Sequence, residues 1–153
     1  MKKPPKPRLR LSSYATVKEL KVRKDGPEDR RYLACDLRLI FNGVDRMICD
    51  YFDPALADFL FRQTEGGLVV RNEWMAPVVY HTTERGCLME IDRDIFRGCE
   101  VRSFAVAPVA GGAICLGCKV SFFPGAQDVT HLARLVESQA MVTIASHLDL
   151  FSV

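Results

Sequence analysis

CEVRSFAVAPVAGGAICLGCKVSFF (residues 99–123) carries the clearest β-hairpin pattern in the chain. From residue 114 onward, apolar side chains alternate with small or polar ones, and one face collects Ile114, Leu116, Cys118, Val120 and Phe122. Alternation with a period of two is typical of a half-buried strand. The pair Gly111–Gly112 allows the positive φ that tight returns require. The stretch therefore predicts two antiparallel strands, 99–107 and 113–123, joined by a short turn.

The N-terminal third of the chain predicts a second hairpin. In the stretch 32–41 one face collects Leu33, Cys35, Leu37, Leu39 and Phe41. The preceding strand, 8–24, changes phase, because Leu20 and Val22 have the opposite parity to the earlier apolar residues. A β-bulge near Lys18 and Glu19 would restore the pattern and bend the strand. Residues 24–29 have turn chemistry, so we expect Lys21 and Arg23 to lie roughly across from Arg30 and Tyr32.

Two short helices and several further strands complete the prediction. One helix follows the pair Asp53–Pro54 and puts Leu56, Phe59 and Leu60 on one face. The other covers 128–137, and residues 68–70 and 78–80 are short strand candidates. The last strand groups Val142, Ile144, Leu148 and Leu150. We therefore expect a mainly β, β-rich α+β fold, an antiparallel sandwich or partly open barrel of about eight strands with two short helices.

Composition limits the class of protein. The chain has 153 residues, of which 48% are apolar and 26% charged, as in an ordinary soluble domain. We expect a basic Pro/Lys arm over 1–8, which three prolines keep out of helix, and one β-rich domain over 9–153. No apolar run is long enough to span a membrane, and the basic start leads into no apolar signal region. Six cysteines without an export signal predict reduced thiols and a cytoplasmic location.

The formal net charge of +2 hides two opposite regions. Residues 1–46 contain 13 of the 21 Lys and Arg and 6 carboxylates, whereas residues 47–153 contain 8 and 13. An exposed aromatic among cations is typical of proteins that bind single-stranded nucleic acid, because phosphates are neutralised while bases stack. The predicted contacts are Lys21, Arg23, Arg30, Arg31, Tyr32 and Arg38. The competing interpretation is a charged hairpin whose arginines pair with acids in its own turn.

Three other motifs suggest chemistry only weakly. Cys115 and Cys118 have C-x-x-C spacing, but positions three apart in a strand face opposite sides, which argues against zinc. The alternating acids Glu90, Asp92 and Asp94 could hold Mg²⁺ for phosphodiester chemistry, or they could form the wet face of an outer strand. The segment His81–Arg85 resembles a general acid–base set, yet no nucleophile motif accompanies it. We therefore expect no catalytic residue, no metal site and no cofactor.

Several stretches resemble a group of uncharacterised bacteriophage and prophage proteins of similar length. The resemblance is carried by Ala34–Leu37, Asp53–Leu56 and the block from Gly98 through Gly111–Gly112 to Met141–Ile144. It covers about two-thirds of the chain and consists mostly of core and turn residues. The resemblance implies a small β-rich phage-type protein acting in the host cytoplasm, and it implies no catalytic residue.

Two hypotheses of function follow. The first is a non-enzymatic accessory protein that binds nucleic acid, single-stranded DNA or RNA, through the basic arm and first hairpin. The second is a protein-binding module, either a self-assembling homo-oligomer or an inhibitor of a host protein, with Phe61, Trp74 and Met75 as apolar anchors. The clustering of cations favours the first hypothesis, and the small total charge favours the second.

Overall fold

A computed structural model describes residues 7–146 of the chain, and strands dominate this region. Its nine strands are β1 (Arg10–Asp25), β2 (Tyr32–Val44), β3 (Phe61–Thr64), β4 (Gly67–Val70), β5 (Val78–Tyr80), β6 (Glu84–Ile91), β7 (Asp94–Val109), β8 (Ala113–Phe122) and β9 (Gln139–Ala145). The helices are α1 (Cys49–Phe52), which follows a 3₁₀ turn at Arg46–Ile48, α2 (Leu56–Leu60) and α3 (Ala126–Leu135). The mainly β class is confirmed.

The large sheet partly closes into a barrel. Its pairings run from β7 through β6, β9, β1, β2 and β8, and β8 pairs with β7 again. All of these pairings are antiparallel. The short strand β5 pairs with β7 beyond the part of β7 that pairs with β6, and β3–β4 form a separate two-stranded hairpin. The predicted hairpins β1–β2 and β7–β8 therefore become neighbours, because β2 pairs with β8.

The barrel interior follows the alternation in the sequence. All five predicted residues on β8, from Ile114 to Phe122, are buried, as are Cys35, Leu37, Leu39 and Phe41 on β2. Burying a side chain of this size contributes about 1.5–3 kcal/mol to folding relative to leaving it exposed. Most residues of opposite parity on the same strands consequently form the outer surface of the barrel, although Ala34 is buried.

The predicted bulge in β1 is confirmed. The β1–β2 register pairs Val17 with Leu39 but Glu19 with Arg38, so that Lys18 is the extra residue. The extra residue reverses the parity of β1, and Leu20 packs partly against the core while Glu19 faces outward. The bulge thus places the charged residues of β1 on the same outer face as Arg38.

The predicted cross-strand partners of the first hairpin are wrong. Lys21 pairs with Asp36 and Arg23 with Ala34, whereas Tyr32 pairs with Asp25. The ladder continues to Asp25 and Tyr32, so the chain reverses within residues 26–31. Arg30 therefore belongs to the turn, in which its N–H donates to the carbonyl of Pro27 (2.9 Å).

The helices and short strands agree with the predictions in part. Leu56 and Leu60 are buried, but Phe59 is 61% exposed and does not share their face. In α3, Leu132 is buried and Val129 packs against the core. The candidates at 68–70 and 78–80 are strands, and β9 buries Val142 and Ile144. Leu148 and Leu150, like most of the basic arm 1–8, lie outside the described residues.

Candidate nucleic-acid interface

The outer face of β1, β2, β8 and β7 contains most of the predicted contact residues. Two rows of cross-strand neighbours run over it, the first Lys21–Asp36–Ser121–Glu100 and the second Glu19–Arg38–Lys119–Arg102. Neighbours in such a row have Cβ atoms about 5 Å apart and interact directly. Whether a charge on this face is available to a ligand therefore depends on its cross-strand neighbours.

Asp36 is the centre of a polar network that binds two of the arginines. Its Oδ1 accepts a hydrogen bond from the Ser121 hydroxyl (2.6 Å), and its Oδ2 accepts one from Arg23 Nε (3.4 Å). Arg102 Nη2 lies 4.0 Å from the same carboxylate. Burial acts to raise the pKa of Asp36, but the hydrogen bonds from Ser121 and Arg23 outweigh it and hold the pKa below its ordinary value.

Arg23 is consequently a structural residue of the hairpin. Besides Asp36, its guanidinium binds Asp25 at 2.7 Å, and these hydrogen bonds raise the pKa of Arg23 further. Lys21 is less constrained, because its only described ion pair is an exposed contact of 3.7 Å with Glu19. Exposed pairs of this kind contribute at most about 1 kcal/mol. Lys21 thus remains available to a phosphate, whereas Arg23 already has two partners.

Arg30 and Arg31 lie in the turn and are exposed. Within residues 7–146, neither forms an ion pair with a carboxylate within 4.0 Å. The positive charge of Arg31 nevertheless contributes to lowering the pKa of Asp25, after the larger effects of Arg23 and the Gly26 N–H. The turn therefore presents two cations that a phosphate can reach.

An exposed aromatic pair lies beside this turn. The rings of Tyr32 and Phe123 pack edge to face with centroids 5.1 Å apart, and the two residues are 47% and 62% exposed. The register of β2 with β8, which pairs Cys35 with Phe122, brings Phe123 close to the start of β2. Sequence reasoning missed Phe123 as a contact residue, although the parity of β8 already assigned it to the outer face.

Arg38 and Lys119 lie opposite each other on β2 and β8. Arg38 is exposed and Lys119 half-buried, and neither has a carboxylate within 4.0 Å among the described residues. Glu19, which is the partner of Arg38 on β1, directs its carboxylate to Lys21 instead. The face thus contains a second cationic position about 20 Å from Tyr32 along β2.

The two cysteines of the C-x-x-C motif occupy opposite faces, as predicted. Cys118 is buried and Cys115 is half-buried on the outer face, and both are free thiols. Burial raises the pKa of the Cys118 thiol to about 12, which keeps it protonated. In the part of the chain that the structure describes, no three His, Cys, Asp or Glu side chains come together to hold a metal ion.

The acidic triplet does not lie on one strand face. Asp92 and Arg93 form the tight β6–β7 turn with positive φ values of 46° and 77°, so Glu90 and Asp94 belong to different strands. A two-residue hairpin turn with both central residues in this region is type I′. Asp92 and Asp94 both contact the ring of His131 on α3. Asp92 and Asp94 therefore connect α3 to the barrel.

One member of the His81–Arg85 segment, Glu84, has a structural contact. The carboxylate of Glu84 accepts a hydrogen bond from the hydroxyl of the buried Tyr51 (2.5 Å). Burial, followed by the contact with Glu84, raises the pKa of Tyr51. Glu84 thus helps to attach the segment before α2 to the barrel.

The three predicted anchors of a protein interface, Phe61, Trp74 and Met75, differ in exposure. Phe61 is 3% exposed and belongs to the core, so its assignment as a surface anchor is wrong. Phe61 is buried because it directly follows Leu60, the buried last residue of α2. Met75 is half-buried against the core, whereas Trp74 is 93% exposed.

Comparison of the chain with protein-family models, with curated proteins and with solved structures found no match. Among the described residues, no helix has the length and apolar character required to cross a membrane.

Proposed function

We propose that the protein is a non-enzymatic, phage-type accessory protein of the host cytoplasm that binds single-stranded nucleic acid. The binding surface is the outer face of β1, β2 and β8 with its turn, and its contacts are Arg30, Arg31, Tyr32, Phe123, Arg38 and Lys119. The proposal is carried by the exposed Tyr32–Phe123 pair, which lies beside two arginines that form no ion pair with a carboxylate of residues 7–146.

The aromatic pair supports a preference for single strands. A base in a duplex is stacked on both faces, whereas an unpaired base can leave the stack and lie on an exposed ring. Such a contact contributes about 1–3 kcal/mol per base and tolerates every base, because each has a π-face. We therefore expect binding with little sequence preference.

The cations supply the second part of the binding energy. Lys and Arg that neutralise phosphates release counterions, and the affinity then falls steeply with salt concentration. Arg30 and Arg31 act next to the aromatic pair, and Lys21 contributes once its exposed contact with Glu19 is broken. Arg23 acts indirectly, since its hydrogen bonds to Asp25 and Asp36 hold the two strands in place.

The test is a titration of labelled single- and double-stranded oligonucleotides, followed by fluorescence anisotropy at about 50 and about 200 mM salt. We expect micromolar or tighter binding to the single strand, and weaker binding at the higher salt concentration. The double variant Arg30→Glu with Arg31→Glu should lose this binding while keeping the wild-type circular dichroism spectrum and melting temperature.

A matched control is the double variant Arg62→Glu with Arg97→Glu. It changes the net charge equally at two exposed positions, on β3 and β7, that are outside the proposed surface. The control should keep at least half of the wild-type affinity. Equal losses of affinity in both variants would mean that binding depends only on the net charge of the protein. If the wild type does not bind at the lower salt concentration, the proposal is excluded.

One observation favours a second candidate, a protein-binding module. Trp74 lies in the loop before β5 and is 93% exposed, and exposed tryptophans are frequent anchors of protein interfaces. A dimer or higher oligomer in light scattering at tens of micromolar, lost in Trp74→Ala, would support self-assembly. If the wild type and Trp74→Ala are both monomers, self-assembly through this loop is excluded. The remaining form of this candidate is then the binding of a host protein.

A further inference from the structure

A groove of about 380 Å³ lies on the outer face of β2, β8 and β7, beyond the aromatic pair. Ala105 of β7 and Gly117 of β8 form part of its floor, and Ile40 and Pro77 form part of its walls. The volume lies within the range of about 300–1,000 Å³ that is usual for small-molecule pockets. The groove is large enough for one nucleotide.

The absence of a side chain at Gly117 keeps the floor of the groove open. A Cβ placed there would lie 3.8 Å from the Cβ of Ala105, which is an ordinary van der Waals contact. Packing therefore does not require glycine at this position, and its φ is outside the left-handed region that favours glycine. A larger side chain would instead occupy the groove, above a floor that is apolar and suited to a flat ring.

Two cations, Arg38 and Lys119, and the carboxylate-bearing Glu19 line one end of the groove. Arg38 and Lys119 line it from opposite positions on β2 and β8, and like charges in that relation destabilise a sheet. Glu19, the neighbour of Arg38 on β1, forms its ion pair within 4.0 Å with Lys21, and Arg102, the neighbour of Lys119 on β7, is itself a cation bound to Glu100 (3.4 Å). An anion between Arg38 and Lys119 would remove this repulsion.

We infer that the groove is a nucleotide-binding pocket, in which a base lies on the apolar floor and the phosphate lies between Arg38 and Lys119. Apolar side chains on both sides of a planar base are a common way to hold it. The identification of the ligand as a nucleotide rests on the proposed function. The same chemistry is offered by a free mononucleotide and by one nucleotide of a bound strand, so the experiment must distinguish these two sources.

The experiment titrates ¹⁵N-labelled protein with deoxyadenosine monophosphate, deoxyadenosine and inorganic phosphate in turn. We expect the mononucleotide to shift the amide signals of Ala105, Gly117 and Lys119 saturably. Deoxyadenosine and phosphate, which each lack one half of the contacts, should bind about tenfold more weakly or worse. Phosphate that binds as tightly as the mononucleotide would overturn the contact between base and floor.

The variant Gly117→Val fills the groove with a side chain that strands accept well. It should abolish mononucleotide binding and weaken the binding of a single-stranded oligonucleotide about tenfold, the effect of one lost base contact. The matched control is Gly43→Val, because an added Cβ at Gly43 of β2 meets no atom within 4 Å and lies outside the groove. The control should bind both ligands as the wild type does.

The oligonucleotide and mononucleotide titrations test the proposed function and the pocket separately. If the wild type binds no oligonucleotide but its groove binds the mononucleotide, the proposed function fails and the pocket stands as a site for a free nucleotide. If the oligonucleotide binds without shifting the three groove amides, and the mononucleotide shifts none of them either, the pocket is excluded. The proposed function then stands with its contacts confined to the turn and the aromatic pair. The amide shifts of the wild type decide the question even if Gly117→Val does not fold.

Discussion

His131 Nδ1 lies 2.6 Å from the Oδ2 atom of Asp94. The other ring nitrogen of His131 lies 2.9 Å from Oδ2 of Asp92. A neutral imidazole has one N–H, whereas the protonated ring has two and can donate to both carboxylates at once. These hydrogen bonds, first that of Asp94 and then that of Asp92, raise the pKa of His131. The protonated ring therefore connects α3 to the β6–β7 turn.

This connection predicts a decrease in stability at alkaline pH. Because the folded-state pKa of His131 is raised above its ordinary value of 6.5, its contribution is complete below about 6.5 and is lost as the pH rises through the folded-state pKa. The urea midpoint of the wild type should fall between about pH 6 and about pH 9, and that of His131→Asn should fall less. Equal decreases in the two proteins would contradict the prediction.

Phe123→Ala should weaken the binding of a single-stranded oligonucleotide at least about fivefold, the lower limit for the loss of one stacking surface. The ring is 62% exposed, so the substitution should change the melting temperature only slightly. Anisotropy titrations measure the affinity. Phe59→Ala is the control, because Phe59 on α2 is equally exposed but lies outside the proposed surface. Equal affinities of the two variants would count against Tyr32 and Phe123 as the stacking surface.

Asp36→Asn should lower stability and strengthen binding. The amide keeps the shape of the side chain but loses the charge that holds Arg23 and attracts Arg102, which should cost about 1 kcal/mol of unfolding free energy. Since the folded-state pKa of Asp36 is lowered, the wild-type contribution is present above its ordinary value of 3.8 and is lost at lower pH.

The same substitution removes a negative charge from the proposed surface and leaves Arg23 with one carboxylate partner, Asp25, in place of two. Affinity for a single-stranded oligonucleotide should therefore rise, with a steeper dependence on salt concentration. Urea unfolding and anisotropy titrations on the same preparation measure the two effects. A variant that is less stable but binds no more tightly would show that Arg23 has no access to the strand.

Lys119→Glu should have the opposite effects on stability and binding. It replaces a repulsive cross-strand pair with an attractive one next to both Arg38 and Arg102, and should raise the unfolding free energy by about 0.2–1 kcal/mol. It also places a carboxylate at the phosphate position of the groove, so mononucleotide binding should be lost. A destabilised variant would mean that Lys119 has a favourable partner in the folded protein. Retained binding would exclude it from the pocket.

The strand faces and the bulge were predictable because their causes are local. Side chains alternate between the two sides of a strand, so the apolar parity of residues 32–41 and 114–123 already assigned Leu37 and Val120 to the interior. The phase change between Val17 and Leu20 indicated the bulge by the same reasoning. The buried face of a short helix is harder to predict, because few positions define it. Phe59 was assigned to the face of Leu56 and Leu60 but is exposed.

Amino-acid order alone thus determined which residues of β2 and β8 are buried, the bulge in β1, and the concentration of basic residues in the first hairpin. Only the tertiary structure decided which of these residues meet. The pairing of β2 with β8 brings Phe123 to Tyr32 and Lys119 to Arg38, and the packing of α3 brings His131 to Asp94. Local patterns specify the face of a strand, but register and strand order depend on how distant segments share one core. The availability of each cation, which distinguishes Arg23 from Arg30, follows from that long-range arrangement.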